Sequence, residues 1–282
     1  AGIEAASLEA RAMAGHVLGL AAADVALIGE QVLDAARAAA AERLLRRRAG
    51  GEPLQYVVGT AEFWSLTFEV TPAVLIPRPE TEHLVEAALD HLRSRATSRP
   101  RIADLGTGSG AVAAALAHEL PAARLWAVDI DAGALAVARR NLMRLGLSAR
   151  VVLLRGSWCR PLLAAGLRNG LDVVVSNPPY VAPSEAGGLP ADVRYFEPAV
   201  ALFSDGDPLS AYREILVDAP RLLRPGGLLA FEAAPHRAAD VAALLEANPR
   251  LTGIQVHSDY GGRPRIVTAL RTPAAALRRD SS

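Results

Sequence analysis

The sequence predicts an α/β protein: a doubly wound, mostly parallel sheet, preceded by a small helical domain and a linking β-hairpin. Three observations carry that expectation. From residue 101 onward, short apolar runs alternate with helix-length segments of 3.6-residue periodicity, which is the pattern of strands joined by crossover helices. A glycine-rich loop, Gly106-Thr107-Gly108-Ser109-Gly110, stands between the first apolar run and the next helical segment. The first 50 residues carry no strand pattern and place apolar residues at helical spacing among Ala, Leu and Arg.

Taken in order, Leu8, Met13, Val17, Leu18, Val32, Leu33, Leu44 and Leu45 mark several short N-terminal helices, ended by the breaker Gly50-Gly51-Glu52-Pro53. The β-rich run 63–70 reads as a hairpin strand. Pro72, Pro77 and Pro79 then stiffen a loop, and 80–92 reads as a helix. In the main sheet, strands are expected at 102–105, 124–129, 151–154, 171–175, 228–232, 253–257 and 265–270. The intervening helices are expected at 111–119, 132–145, 208–223 and 238–245. The end at 278–282 is expected to fray.

Composition narrows the function. In the 282 residues, 30 basic and 30 acidic side chains cancel to a formal net charge of 0, and 51% are hydrophobic. That is enough apolar material for a sizeable core and argues against disorder. A neutral balance also weighs against nucleic acid as the main partner. No run approaches the length of a membrane helix, and no signal peptide opens the sequence; with Ala1 in place of Met, a processed or trimmed start is expected. The single Cys159 excludes an internal disulfide framework and fits a reducing cytoplasm. The six His show no metal-ligand spacing, so no metal is expected. The sequence contains no Lys, so every basic residue is Arg, as a GC-rich bacterial genome would produce.

The glycine loop follows a strand and opens a helix, the context in which backbone turns tightly around a ligand. It reads G-x-G-x-G rather than the dinucleotide G-x-G-x-x-G. Asp129 ends the second strand, where a carboxylate can accept both ribose hydroxyls of an adenine nucleoside. The pair suits S-adenosylmethionine at least as well as NAD. A second motif, Ser176-Asn177-Pro178-Pro179-Tyr180, follows the 171–175 strand and so lies at a strand's carboxyl end, where this fold places its chemistry. Methylating a planar amide or an aromatic amine is difficult because the nitrogen lone pair is delocalised. The Asn177 side-chain oxygen can accept one N–H, and the Pro178 carbonyl can accept the other. Prolines fix φ and hold that carbonyl rigidly. Tyr180 supplies an aromatic wall. Two such acceptors would aim the nitrogen, so that catalysis is mostly positioning, which contributes about 7–11 kcal/mol.

With these motifs, the sequence resembles the bacterial protein-(glutamine-N5) methyltransferases that modify peptide-chain release factors, the HemK/PrmC family. The resemblance runs from about residue 50 to 270. It rests on Gly51-Glu52-Pro53-Leu54-Gln55-Tyr56, Val74-Leu75-Ile76-Pro77-Arg78-Pro79-Glu80-Thr81-Glu82, the glycine loop, Gly156-Ser157-Trp158, and Ser176 to Tyr180. Further support comes from Glu197-Pro198 with Ala201-Leu202, and from Asp259-Tyr260 with Arg263-Pro264-Arg265.

The resemblance implies a Rossmann-like methyltransferase fold with a seven-stranded sheet. It implies a helical domain over 1–55 that docks the release factor, a hairpin and linker over 56–78, and an S-adenosylmethionine-dependent domain over 79–282. Gly106, Thr107, Gly108, Ser109 and Gly110 would cradle the cofactor, Asp129 would hold its ribose and Trp158 would pack near its adenine. Asn177 would touch both cofactor and substrate. Pro178, Pro179 and Tyr180 would line the pocket for the glutamine of a Gly-Gly-Gln loop, with Asn177 and Pro178 as the catalytic pair. Two segments depart from the family's usual wording: Phe203-Ser204-Asp205-Gly206, where paired glycines are common, and Glu232-Ala233-Ala234-Pro235-His236-Arg237.

Rival readings meet specific obstacles. A glutamine methyltransferase of a ribosomal protein is disfavoured by the intact Ile76 to Glu82 segment. An adenine-N6 DNA or RNA methyltransferase shares Asn-Pro-Pro-Tyr, but neutral charge and a short helical N-terminus disfavour it. A non-catalytic nucleotide-binding module has no use for Asn177. Arg43, Arg46, Arg47 and Arg48 read as a solvated helix end that favours the helix dipole. Cys159 has no base partner and is not expected to be a nucleophile. Glu80 and Glu82, beside Arg78, suggest a loop that covers the cofactor.

Overall fold

The structure, a computed structural model, describes residues 5–28 and 32–273; the expected fraying at 278–282 lies outside them. Nine strands are present among these residues: β1 (Thr60–Phe63), β2 (Leu66–Glu69), β3 (Arg101–Leu105), β4 (Arg124–Asp129), β5 (Val151–Arg155), β6 (Leu171–Ser176), β7 (Leu223–Glu232), β8 (Leu251–Ser258) and β9 (Pro264–Arg271). The first two pair as a hairpin; the others form one sheet in the order β5-β4-β3-β6-β7-β9-β8. All neighbours in it are parallel except β9, which runs antiparallel to both β7 and β8.

Side-chain alternation along the strands builds two cores. Ile102, Leu125, Val173, Val175 and Ala230 face helices Glu82–Ser94 and Ala111–Glu119. Ala103, Trp126, Val174, Leu229 and Phe231 face helices Ser210–Leu222 and Ala238–Glu246. Burial on both faces is why these strands read as continuous apolar runs.

Strand order reverses between β3 and β6, and ligands of such sheets bind in the crevice beyond that point. The register aligns Leu105 with Ser176, and the buried Ser176 hydroxyl donates to the Leu105 carbonyl at 2.7 Å. The residues that follow, Gly106 and Asn177, are therefore carried side by side.

The N-terminal region comprises helices Ala6–Leu18, Ala22–Val25, Ala35–Ala49 and Leu54–Val58. The Asp34 side chain caps the third by accepting from Arg37 N at 2.8 Å. Two of the four clustered arginines are not merely solvated. Arg48 pairs with Glu9 of the first helix at 2.6 Å. Arg47 bonds Glu52 at 2.8 Å and the carbonyls of Tyr56 and Val57. These bonds brace the third helix against its neighbours. Of the N-terminal apolar positions, Met13 is buried, whereas Leu8 and Val32 stand 65% and 101% exposed.

The run 63–70 is two strands rather than one. Trp64 and Ser65 form the turn between β1 and β2 at φ of 54° and 56°, a conformation that non-glycine residues rarely adopt. Side-chain bonds stabilise it: Trp64 N donates to Glu82 at 2.7 Å, and the indole N–H donates to Glu119 at 2.9 Å. The other expected strands and helices agree with the observed ones to within a few residues at their ends. Helices Leu54–Val58, Arg160–Ala164, Ala191–Phe196 and Ala199–Leu202 have four to six residues each, too few for a periodic pattern.

Candidate active site

A cavity of about 280 Å³ opens beyond the carboxyl ends of β3, β4 and β6. Its lining includes Gly106, Thr107, Gly108, Ser109, Asp129, Trp158, Asn177 and Pro179. Small-molecule sites span about 300–1,000 Å³, so the cavity lies just below the lower end of that range.

The cradle is set by backbone geometry. Amides of Gly106 and Thr107 both donate to the Val128 carbonyl, at 2.9 and 3.0 Å, strapping the loop to the end of β4. Gly106 has φ +75°, and a Cβ there would meet the Trp158 ring at 3.4 Å. The left-handed backbone is what calls for glycine here, since a Cβ would make only an ordinary contact with the indole. Ser109 is buried, and its carbonyl accepts from Asn141 Nδ2 at 3.0 Å.

Gly110 differs from the rest of the loop. It is not part of the cavity lining. At φ +81°, a Cβ would sit 3.2 Å from Ala138 Cβ, so its smallness serves the packing of helix Ala111–Glu119 on helix Ala132–Arg144.

Two carboxylates sit at the rim of the cradle. Asp129 accepts from Gly108 N through Oδ2 at 2.9 Å and from Asp131 N through Oδ1 at 3.0 Å. Each oxygen keeps a lone pair for a ligand hydroxyl. Asp104, at the end of β3, is buried, and burial pushes its carboxyl up to about 6 despite a 2.6 Å bond from the Thr107 hydroxyl.

A second cavity, of about 200 Å³, is lined by Pro178, Tyr180, Val181, Leu189, Pro190, Val193 and Leu202. It shares Leu75, Arg78, Asn177 and Ala201 with the first. The Asn-Pro-Pro-Tyr motif thus divides between them: Pro179 faces the larger cavity, Pro178 and Tyr180 face the smaller one, and Asn177 stands where they meet. Burial pushes the Tyr180 phenol up to about 12, so it stays neutral.

The proline-rich loop closes over this junction. Arg78 and Thr81 line the larger cavity. Arg78 pairs with the buried Glu197 carboxylate, which also accepts from Ile76 N at 3.4 Å; burial pushes that carboxyl up, and the adjacent guanidinium partly offsets the rise. The Asn177 amide donates through Nδ2 to Thr81 Oγ1 at 3.3 Å. Glu80 and Glu82 do not line the cavity but tie the loop down. Glu80 lies within 3.9 Å of Arg263 and 3.7 Å of Arg265, and Glu82 holds the hairpin turn.

Arg78 and Thr81 were legible only as part of a distinctive segment. Glu197 and Asp104 were missed as site residues; for Asp104 the latent signal was an acidic residue near the end of an apolar strand. The departing segment supplies Phe203, Ser204 and Asp205 to the wall of the larger cavity. Cys159 is buried, and burial pushes its thiol up to about 12, consistent with an inert side chain. Among the described residues, no group of three or more His, Cys, Asp or Glu could hold a metal ion, and no helix is long and apolar enough to cross a membrane.

Comparison with known proteins decides the family. The PrmC N-terminal domain model matches residues 1–59, and the methyltransferase small domain model matches residues 82–207. A release factor glutamine methyltransferase of Moorella thermoacetica is 47% identical over 96% of this chain and 93% of its own length. One of Gloeobacter violaceus is 46% identical over 89% and 86%. The chain belongs to the release factor glutamine methyltransferase family. It is a methyltransferase, and the solved structure of the hMettl16 catalytic domain in complex with the MAT2A 3′UTR hairpin 6 has a similar fold. That likeness covers 84% of each chain with a TM-score of 0.55 at 15% identity, so it speaks to fold alone. The delta-N METTL16 MTase domain gives a TM-score of 0.54 over 82% of this chain and 97% of that one.

Proposed function

We propose that the protein transfers a methyl group from S-adenosylmethionine to the side-chain amide nitrogen of the glutamine in the Gly-Gly-Gln motif of class-I release factors, in the cytoplasm. The carrying observation is the position of Asn177 at the junction of two cavities, one with a nucleoside cradle and the other walled by Pro178 and Tyr180.

The residues present fit the cofactor. The glycine loop admits a ligand close to its backbone, Asp129 has free acceptor sites for a ribose diol, and Trp158 offers a flat surface beside Gly106. S-adenosylmethionine, when bound there, supplies an electrophilic methyl group. This chain then has to aim a weak nucleophile. With Nδ2 committed to Thr81, the Asn177 oxygen is the free end of that amide and accepts one substrate N–H. The Pro178 carbonyl accepts the other. Holding both hydrogens fixes the nitrogen on the side facing the larger cavity. Held by these two acceptors, the amide nitrogen would form the new N–C bond while the C–S electron pair stays with the departing cofactor, and the nitrogen would then be acidic. One proton then leaves to solvent, so no strong base is required. Metal is not part of this scheme. The 1–55 helices would dock the protein substrate, 56–78 would link, and 79–282 would carry the chemistry.

The test is methyl transfer from labelled S-adenosylmethionine, with release factor, ribosomal protein and DNA offered in parallel. Label in the release-factor glutamine supports the proposal; label in DNA or ribosomal protein alone refutes it. Asn177→Ala should keep cofactor affinity and lose turnover.

A further inference from the structure

One of the two segments that depart from the family's usual wording, Glu232 to Arg237, ends against the wall of the smaller cavity. Past the Asn-Pro-Pro-Tyr turn, the chain runs through a 3-10 helix, Pro183–Gly188, to helix Ala191–Phe196. Both ends of this run are held. Val181 N donates to the Leu202 carbonyl at 3.1 Å, and Ser204 N donates to the Val181 carbonyl at 3.0 Å. At the far end, Phe196 packs against the cluster of Tyr56, Val74 and Ile76. The middle has little packing of its own: none of residues 183–190 is buried, and Gly187 and Gly188 are exposed. Yet Leu189 and Pro190 of this stretch line the smaller cavity beside Val181.

Glu185 supplies the hold. Among the described residues, it makes the only side-chain hydrogen bonds of residues 183–190. Its Oε2 accepts from Ala182 N at 2.9 Å, which closes the first turn. Its Oε1 accepts from Arg237 Nη2 at 2.6 Å. The Ala182 amide, with Arg237 and His236 beyond it, holds the carboxyl below the usual carboxylate range, so it is ionised at neutral pH. Arg237 stands in the 3-10 helix Pro235–Arg237 that follows β7. Its Nε is buried and has no partner among the described residues. Leaving a buried donor unmet costs stability, so what this placement secures is the reach to Glu185. His236 Nε2 lies 3.8 Å from the same Glu185 oxygen, beyond hydrogen-bond distance.

We propose that Arg237 and Glu185 are positioning residues: their ion pair is a latch that holds residues 183–190 as a wall of the substrate cavity. The latch acts on substrate binding and not on methyl transfer itself. It touches neither Asn177 nor the glycine loop. A wall already ordered before the substrate arrives costs no ordering entropy on binding. Loosening it removes binding energy that is equal in the ground and transition states, which raises KM and leaves kcat unchanged.

This inference rests on the proposed methylation of release factor, and it is tested so that the two can fail separately. Methyl transfer to intact release factor is measured for the wild type, Arg237→Met, Arg237→Lys, Glu185→Gln, the Arg237→Met/Glu185→Gln double variant and His236→Ala. Cofactor affinity is measured by calorimetry, folding by thermal unfolding, and the order of residues 182–189 by hydrogen exchange. Arg237→Met and Glu185→Gln should each raise KM for release factor about fivefold, the effect of one partly exposed ion pair. Turnover at saturation and cofactor affinity should stay at the wild-type level. Arg237→Lys should recover most of the loss, the double variant should be no worse than either single one, and His236→Ala should match the wild type. Amides of 182–189 should exchange faster in Arg237→Met. Wild-type KM in Arg237→Met, a loss confined to kcat, effects that multiply in the double variant, or unchanged exchange would overturn the latch. Should Arg237→Met not fold, Glu185→Gln carries the same measurements. If the wild type does not methylate release factor, the reading of the reaction fails and the exchange rates decide the latch. If it does, and Arg237→Met keeps the wild-type KM, only the latch fails.

Discussion

Replacing Glu232 with Gln should change the pH dependence of stability in a direction fixed by burial. The carboxyl titrates near its ordinary 4.5 in the unfolded chain and at about 7 in the fold, because burial penalises its charged form. Between those values the folded state holds a proton that the unfolded state has lost, so stability falls as pH rises through the interval. Below the interval both states are protonated and there is no penalty. Above it both are ionised and the full penalty is present. The interval from 4.5 to about 7, at about 1.4 kcal/mol per tenfold change in proton affinity, bounds the effect at about 3 kcal/mol. Gln does not titrate. Urea unfolding of wild type and Glu232→Gln from about pH 5 to about pH 8 should therefore show the variant gaining up to about 3 kcal/mol on the wild type. The fixed cost of the substitution, and the parallel contribution of Asp104, cancel in that difference. A pH-independent gap between the two proteins would refute a carboxyl at Glu232 raised by burial.

Further outcomes follow from the same site. Asp129→Asn should weaken S-adenosylmethionine binding about tenfold or more, since a charge-assisted bond contributes about 1.5–3 kcal/mol; calorimetry at neutral pH measures it, and unchanged affinity would remove Asp129 from the cradle. Gly110→Ala should destabilise the fold by about 1–2 kcal/mol through its left-handed φ, with added crowding against Ala138 at 3.2 Å. Its residual folded fraction should bind cofactor normally, as chemical unfolding and calorimetry together can show. Arg78→Met leaves the Glu197 carboxylate buried without its cation. It should cost about 3 kcal/mol at neutral pH and less under acid conditions, where Glu197 is protonated, which unfolding curves at two pH values will reveal.

Much of the architecture was written locally. The apolar runs of β3 to β7 are continuous because both sheet faces are covered, and the intervening helices are long enough to show their period. The glycine loop and Asn-Pro-Pro-Tyr are contiguous in sequence because each is a single strand-to-loop transition. The turn at Trp64-Ser65 was not legible, because its left-handed backbone is stabilised by Glu82 and Glu119, which are distant in sequence. Nor were the short helices, which end before one hydrophobic repeat is complete. Gly110 illustrates the limit within a motif. Its residue type was plain, but whether it meets a ligand or Ala138 depends on the neighbouring helix.

By itself, then, the sequence determined the sheet with its helices, the cradle with its ribose-binding acid, and the family resemblance. Only the tertiary structure decided how those motifs combine. The β3–β6 register carries Gly106 and Asn177 to one crevice. The folded loop brings Thr81 to Asn177 across 96 residues. A hydrogen bond requires atoms within about 3 Å, and sequence spacing fixes such approach only within a turn or along a helix. Across strands, the packing of the whole sheet sets it.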